Sequence, residues 1–302
     1  MTTAGPPPDG EPPTLPDDAR VGRTALFVND LDAQIDFYRD VVGLTVLDAD
    51  ETGATLGAGG TPLLELLVDE EAPPRDRDQA GLFHVAFRFP SRAALGAALE
   101  RVTDRWSLEG ASDHLVSEAL YLTDPEGNGV ELHRDRPSAE WPRREDGTVE
   151  IDTLPLDLDA LAAAAGGDTA PADATGTTSG EATDTAPTDT TIGHVHLEVT
   201  SIEAARRFYV DTLGLGVQTD LGSALFVAAG GYHHHLGLNT WNRRTRAAGG
   251  RGLAWVELLV PDEESLAAAC RRLEADDVAV TERGDVIETS DPDGIAVRLG
   301  VE

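Results

Sequence analysis

Residues 37–44 read FYRDVVGL, and residues 208–215 read FYVDTLGL. A second pair lies downstream of each: DPEGNGVEL at 124–132 and DPDGIAVRL at 291–299. The same two phrases, in the same order in both halves of a 302-residue chain, argue for a duplicated architecture. Residues 160–190, ALAAAAGGDTAPADATGTTSGEATDTAPTDT, separate the halves and are nearly all Ala, Gly, Thr, Ser, Asp and Pro. Such a segment lacks the apolar surface to offset the entropy of ordering, so it reads as a flexible linker. The expected organisation is a disordered, acidic, Pro-rich tail over 1–19, a first domain over 20–136, a connection over 137–190 and a second domain over 191–302.

A finer repeat lies inside each half. VGRTALFV (21–28) reads as a short strand. Asp30 then caps the amphipathic helix LDAQIDFYRDVV, and Gly43 stops it. Strands follow near 44–49, 53–58 and 62–68. LFHVAFRF (82–89) restarts the order, with a helix over 91–102 and strands near 115–123 and 129–134. IGHVHLEV (192–199), followed by Ser201 as helix cap, and LAWVELLV (253–260) open two further copies. The chain therefore reads as four βαβββ modules. Their first strands alternate: Val85, Phe87 and Phe89 oppose His84, Ala86 and Arg88, and Val195, Leu197 and Val199 oppose His194, His196 and Glu198. One face is apolar and must pack under a helix; the other is polar and lines a cleft.

Composition excludes several function classes. Acidic residues number 55 against 23 basic ones, a formal net charge of −32, and every basic residue is Arg. That balance reads as adaptation to high salt, where screening makes such self-repulsion tolerable. It argues against nucleic acid or an anionic membrane as partner, because no basic patch exists to meet phosphates. Cys270 is the single cysteine, so no disulfide framework is expected. No apolar run is long enough to span a bilayer, and the N-terminus has no signal-peptide pattern, so a cytoplasmic protein is expected. A homo-oligomer is left open.

The modules resemble the vicinal-oxygen-chelate superfamily of glyoxalases, fosfomycin- and bleomycin-resistance proteins and extradiol ring-cleaving dioxygenases. That resemblance implies an α+β fold in which the four βαβββ modules form two cupped mixed sheets. HLVSEALYLTDPEGNGVE (114–131) resembles the extradiol signature through His114, Leu120, Tyr121, Asp124, Pro125, Gly127 and Glu131. GLFHVAF and GGYHHHLGLNTW also resemble segments of four-module catechol 2,3-dioxygenases. The likeness covers nearly the whole chain except the tail and linker.

Extradiol members hold Fe(II) with two histidines and a carboxylate drawn from paired modules, leaving positions open for substrate and O₂. The corresponding first-strand positions here are Arg23, His84, His194 and Trp255. The last-strand positions are Glu65, Glu131, an unassigned residue in the third module, and Arg298. Pairing modules in chain order never completes the set. Pairing modules 2 and 3 does, with His84, Glu131 and His194 as metal ligands. Modules 1 and 4 then pair around a metal-free cavity with Arg23, Glu65, Trp255 and Arg298. A lone strand histidine is more often a satisfied polar residue than a ligand; the combination of positions is what favours ligation.

The resemblance further implies an aromatic diol and O₂ as substrates, with Fe(II) or Mn(II) as the metal. Tyr121 is expected to hydrogen-bond a diol oxygen and His114 to lie over the substrate. In the run YHHHLGLNTW (232–241), family position points to His234 as the acid–base residue. Alternation, with Leu236 and Leu238 toward the helix, instead puts His233, His235 and Asn239 on the cleft face. If the strand starts only near His235, His234 can still turn inward from the preceding GGY turn, so His234 stands first and His235 second. His196 reads as a neighbour or competitor of His194, and His133, at a strand end, as solvent-exposed. The rival readings are a glyoxalase-like metal isomerase or lyase, and a non-catalytic protein that sequesters an aromatic compound.

Overall fold

The computed structural model describes residues 14–145, 147–165 and 184–302. Module 1 comprises β1 (Arg20–Val28), α1 (Leu31–Phe37), β2 (Thr45–Asp50), β3 (Gly53–Ala58) and β4 (Thr61–Val68). Module 2 comprises β5 (Gly81–Arg88), α2 (Arg92–Arg105), β6 (Gly110–Asp113), β7 (Ser117–Thr123) and β8 (Gly129–Asp135). A short strand β9 (Leu154–Pro155) and a helix α3 (Leu158–Ala165) follow. Module 3 is β10 (Thr191–Glu198), α4 (Ile202–Arg206), β11 (Gly216–Asp220), β12 (Ala224–Ala228) and β13 (Leu236–Asn239). Module 4 is β14 (Gly252–Val260), α5 (Glu263–Ala275), β15 (Thr281–Arg283), β16 (Val286–Ser290) and β17 (Ala296–Val301).

The modules pair 1 with 4 and 2 with 3. One mixed sheet runs β15-β16-β17-β14-β1-β4-β3-β2, and the other runs β11-β12-β13-β10-β5-β8-β7-β6-β9. Each chain half thus gives one module to each sheet. The seams are the antiparallel pairs β1·β14 and β5·β10. Apolar faces go under the helices: Val85, Phe87, Val195 and Leu197 are fully buried. Each such side chain contributes about 1.5–3 kcal/mol by leaving water.

The repeated phrases that expose the duplication are two halves of one buried contact. The Tyr38 hydroxyl donates to Asp124 Oδ2 at 3.2 Å, and the Tyr209 hydroxyl donates to Asp291 Oδ2 at 3.0 Å. Each bond ties the FY phrase of one sheet to the DP turn of the other. Both tyrosines sit where the helix loosens into a π turn, over Tyr38–Val42 and Arg207–Thr212. Asp30 and Ser201 cap α1 and α4 through the Ala33 and Ala204 amides. Gly43 closes the first π turn at φ +92°, a conformation that favours glycine.

Two expected boundaries shift. Of the 1–19 tail, residues 1–13 lie outside the described residues; Leu15 is buried and its amide donates to Gly214 O. Leu15 is an apolar side chain that gains burial beside a turn of module 3. Of the 160–190 linker, 166–183 lie outside the described residues. Residues 160–165 belong to α3, which buries Leu161 and packs against α2 at Gly96. The absent side chain at Gly96 admits that helix, since a Cβ there would meet Leu161 O at 2.5 Å.

Candidate metal centre

Three strands set the centre by register alone. In β5·β8, Ala86 lies opposite Glu131; in β5·β10, Ala86 lies opposite His194. Cross-strand partners share a face, so Glu131, Ala86 and His194 form one row across the sheet. His84, two residues back along β5, stands on the same face. The methyl of Ala86 is the low point of the row, and three longer side chains lean over it. His84 Nε2 lies 3.2 Å from His194 Nε2 and 3.0 Å from Glu131 Oε2, and His194 Nε2 lies 3.4 Å from Glu131 Oε2. All three residues are buried. Among the described residues, they form the one group of three or more such donors close enough to hold a metal ion.

The donor chemistry fits a divalent metal. Burial pushes the His194 imidazole down to about 3, leaving it neutral with a lone pair. Burial also pushes the Glu131 carboxyl up, but His194 and His84 outweigh it and hold Glu131 well below the usual range. Two imidazole nitrogens and a carboxylate oxygen thus converge to within 3.4 Å of one another. A divalent cation can take one lone pair from each of these three donors at once. Two histidines and one carboxylate, with one side open, is the facial arrangement that leaves coordination positions for other ligands.

The open side is a cavity of about 410 Å³. Phe83, Val116, Ile151, Phe226, Leu221 and Trp241 supply its apolar walls, and neither Arg nor Lys lines it. Sequence reasoning missed these walls, because they come from six different elements and loops. The one available signal was Trp241 closing the histidine-rich run. Phe83 and Trp241 meet edge to face with ring centroids 5.5 Å apart, and both abut His196.

Tyr121 and His114 lie on the cavity wall as a pair. His114 Nδ1 is 2.7 Å from the Asp152 carbonyl, so it donates; its Nε2 is then the acceptor for the Tyr121 hydroxyl at 2.5 Å. Burial first, and then the charge of Glu131, raise the Tyr121 hydroxyl well above 10, so it stays protonated. The register of His114 follows from the β6–β7 hairpin, where Leu115 adopts φ +70° and His114 N bonds Ser117 O.

The histidine run resolves differently from strand alternation. β13 begins only at Leu236, so the period-2 argument does not reach residues 233–235. His234 faces the cavity, its ring centroid 4.1 Å from that of His194 and 4.9 Å from that of Phe226. His235 turns away. Its Nδ1 accepts from the Ala229 amide, its ring stacks on Tyr232, and it lines a separate pocket between the sheets. His233 is fully buried behind His234, and Asn239 donates to the Leu197 carbonyl.

Two other expectations change. His133 is fully buried, not exposed at a strand end. Gly193 opposite makes room for it; a Cβ there would meet His133 Nε2 at 2.4 Å. Its ring packs 4.9 Å from that of His194. His196 stands opposite His84 across the seam, outside the three-donor group. The unassigned last-strand position of module 3 is Gly237, which pairs with His196 and leaves space for its ring.

The other sheet repeats the pattern with different chemistry. Ala25 lies opposite Glu65 in β1·β4 and opposite Trp255 in β1·β14. Arg23 stands two residues back, where β5 carries His84. Its guanidinium reaches Glu65 at 2.6 Å and Glu257 at 3.0 Å, and Arg298 lies over the Trp255 ring at 4.1 Å. An arginine cation thus sits where the sheet of modules 2 and 3 gathers its donors. Arg23→Ala is expected to destabilise the fold by about 2 kcal/mol, because Glu257 is buried and loses its partner. The figure stays below that of a fully buried pair because the Arg23 side chain is 34% exposed. Chemical denaturation measures the loss, and metal content should not change.

The model of the Glyoxalase/Bleomycin resistance protein/Dioxygenase superfamily matches residues 20–132 and 191–299. A Bacillus subtilis (strain 168) protein named catechol-2,3-dioxygenase is 35% identical over 288 residues, covering 92% of this chain and 96% of that one. The solved structure of maize (Zea mays) glyoxalase I shares the fold at a TM-score of 0.57 and 17% identity, over 93% of this chain and 92% of that one. The cppA protein of Streptococcus pneumoniae TIGR4 does so at 0.55 and 11%, over 94% and 99%. No described helix is long and apolar enough to cross a membrane. With four βαβββ modules, two cross-paired sheets and both matched segments, the chain belongs to the Glyoxalase/Bleomycin resistance protein/Dioxygenase superfamily.

Proposed function

We propose that the protein is an extradiol ring-cleaving dioxygenase of the catechol 2,3-dioxygenase type, with Fe(II) held by His84, His194 and Glu131. One observation carries this reading: two imidazoles and one carboxylate converge, buried, at the floor of an apolar cavity. The 35% identical relative named catechol-2,3-dioxygenase supports the same chemistry. A glyoxalase-like isomerase draws on more carboxylates, and here Glu131 is the single carboxylate of the group. A non-catalytic binder has no need of buried donors in this arrangement.

Fe(II) bound by these donors supplies a redox-active Lewis acid beside a diol and O₂, and Mn(II) suits the same donors. Both atoms of O₂ enter the product, so no external reductant is consumed. The protein's own part is orientation and proton transfer. Phe83, Phe226 and Trp241 offer aromatic walls against which a substrate ring is held beside the three donors. His234 takes a phenolic proton and later returns it. Tyr121, directed by His114, presents its hydroxyl beside the diol. Incubation of the metal-loaded protein with catechol under air is expected to give the yellow ring-fission product. A metal-replete protein that produces none overturns the reading.

A further inference from the structure

We propose that Asp135 and His233 are positioning residues that lock His234 in the tautomer whose bare Nε2 faces the cavity. The proposal rests on the dioxygenase reading for what that nitrogen does, but not for the tautomer itself. Asp135 ends β8, and three side chains converge on its carboxylate. His233 Nε2 lies 2.9 Å from Oδ1, the Tyr232 hydroxyl donates to Oδ2 at 2.9 Å, and His133 Nδ1 stands 3.3 Å from Oδ1. Arg88 lies 3.5 Å from Oδ2 and over the Tyr232 ring. A carboxylate so surrounded by donors only accepts, so the proton of His233 is on Nε2.

The rest follows by counting protons. A neutral imidazole carries one N–H, so His233 Nδ1 is an acceptor. It lies 2.8 Å from His234 Nδ1, which must therefore donate to it. The single proton of His234 is then on Nδ1, and its Nε2 is unprotonated at the cavity wall. Water does not compete, because His233 is fully buried between Tyr232 and Trp141, with ring centroids at 4.2 and 5.2 Å. An oriented base backed by a buried carboxylate is a known means of fixing which nitrogen reacts. Here the carboxylate acts through an intervening imidazole. It also gives the three consecutive histidines distinct tasks: His234 faces the substrate, His233 relays, and His235 packs.

The test reads ring-nitrogen shifts in full-length protein carrying ¹⁵N-histidine and loaded with Zn(II) as a diamagnetic ion. His234→Gln identifies the His234 signals by their loss. The expected result is a protonated Nδ1 and a bare Nε2 on His234. In His233→Phe, which keeps the ring and removes both nitrogens, His234 should shift its proton toward Nε2. Its kcat with catechol should fall at least about tenfold while metal content holds. His233→Gln, which can still donate to Asp135 and accept from His234, should recover part of both readouts. A protonated Nε2 in the wild type overturns the proposal, as does an unchanged tautomer or kcat in His233→Phe. If the wild type does not cleave catechol, the dioxygenase reading fails, and the tautomer alone decides the relay.

Discussion

Glu131→Ala is expected to leave the purified protein with less than about a tenth of the metal that the wild type carries. The carboxylate is the only charged donor of the group, and it sits 3.0 and 3.4 Å from the two imidazole nitrogens. Without it a divalent ion would sit against two imidazole rings with no counter-charge from the group that holds it. His84→Ala and His194→Ala each remove one of three protein donors and should lose metal to a similar degree. Even partners that merely orient a ligand cost about 10–100-fold in affinity when removed, so a ligand itself should cost more. Metal analysis beside circular dichroism separates loss of the ion from loss of the fold. Thermal unfolding gives an independent reading. A metal held only by the folded state should stabilise the wild type by about 2.7 kcal/mol at a hundredfold excess over Kd, and should not stabilise the Ala variants. Catechol cleavage should fall with the metal in all three. Full metal in any one of them breaks the three-donor centre. Glu65→Ala is the control, because Arg23 already places a cation beside that carboxylate in the other sheet.

Much of this was legible in the chain because the determinants are local or repeat. The FY and DP phrases mark equivalent points of each half, and buried Tyr–Asp bonds explain why both recur. The cross-pairing of modules could be read because Arg23, Trp255 and Arg298 are chemically unlike the residues at the equivalent positions of the other sheet. His84, Glu131 and His194 can be grouped from the sequence because they lie on regular strands, where period and register fix the face. Legibility ended where strands end. The histidine run precedes β13, so alternation had no purchase on it. The burial of His133 is not legible in the sequence because it depends on a glycine sixty residues away, at 193. The cavity walls were invisible because Phe83, Val116, Ile151, Leu221, Phe226 and Trp241 converge only in the fold.

His234→Gln is expected to keep its metal and lose kcat for catechol by about a hundred- to ten-thousand-fold, the range of a positioned proton-transfer group. His234 is not among the three converging donors; its ring stands beside His194 with centroids 4.1 Å apart. Metal loss is therefore not the expected route to inactivity, which distinguishes this variant from those at 84, 131 and 194. Glutamine fills most of the space and still offers an amide to His233, so the fold should hold. If His234 acts by proton transfer and not by binding, kcat and kcat/KM should fall together, because the lost interaction belongs to the transition state. A rise in KM with kcat intact would instead make it a binding group. His235→Gln is the matched comparison. That residue faces the other pocket and accepts from the Ala229 amide, so its loss should cost about 1 kcal/mol of stability and little activity. Two neighbouring histidines of equal burial should thus separate cleanly, one by rate and the other by stability. Were the pattern reversed, strand alternation would be the correct reading of the run, and the acceptor would have to reach the diol from His235.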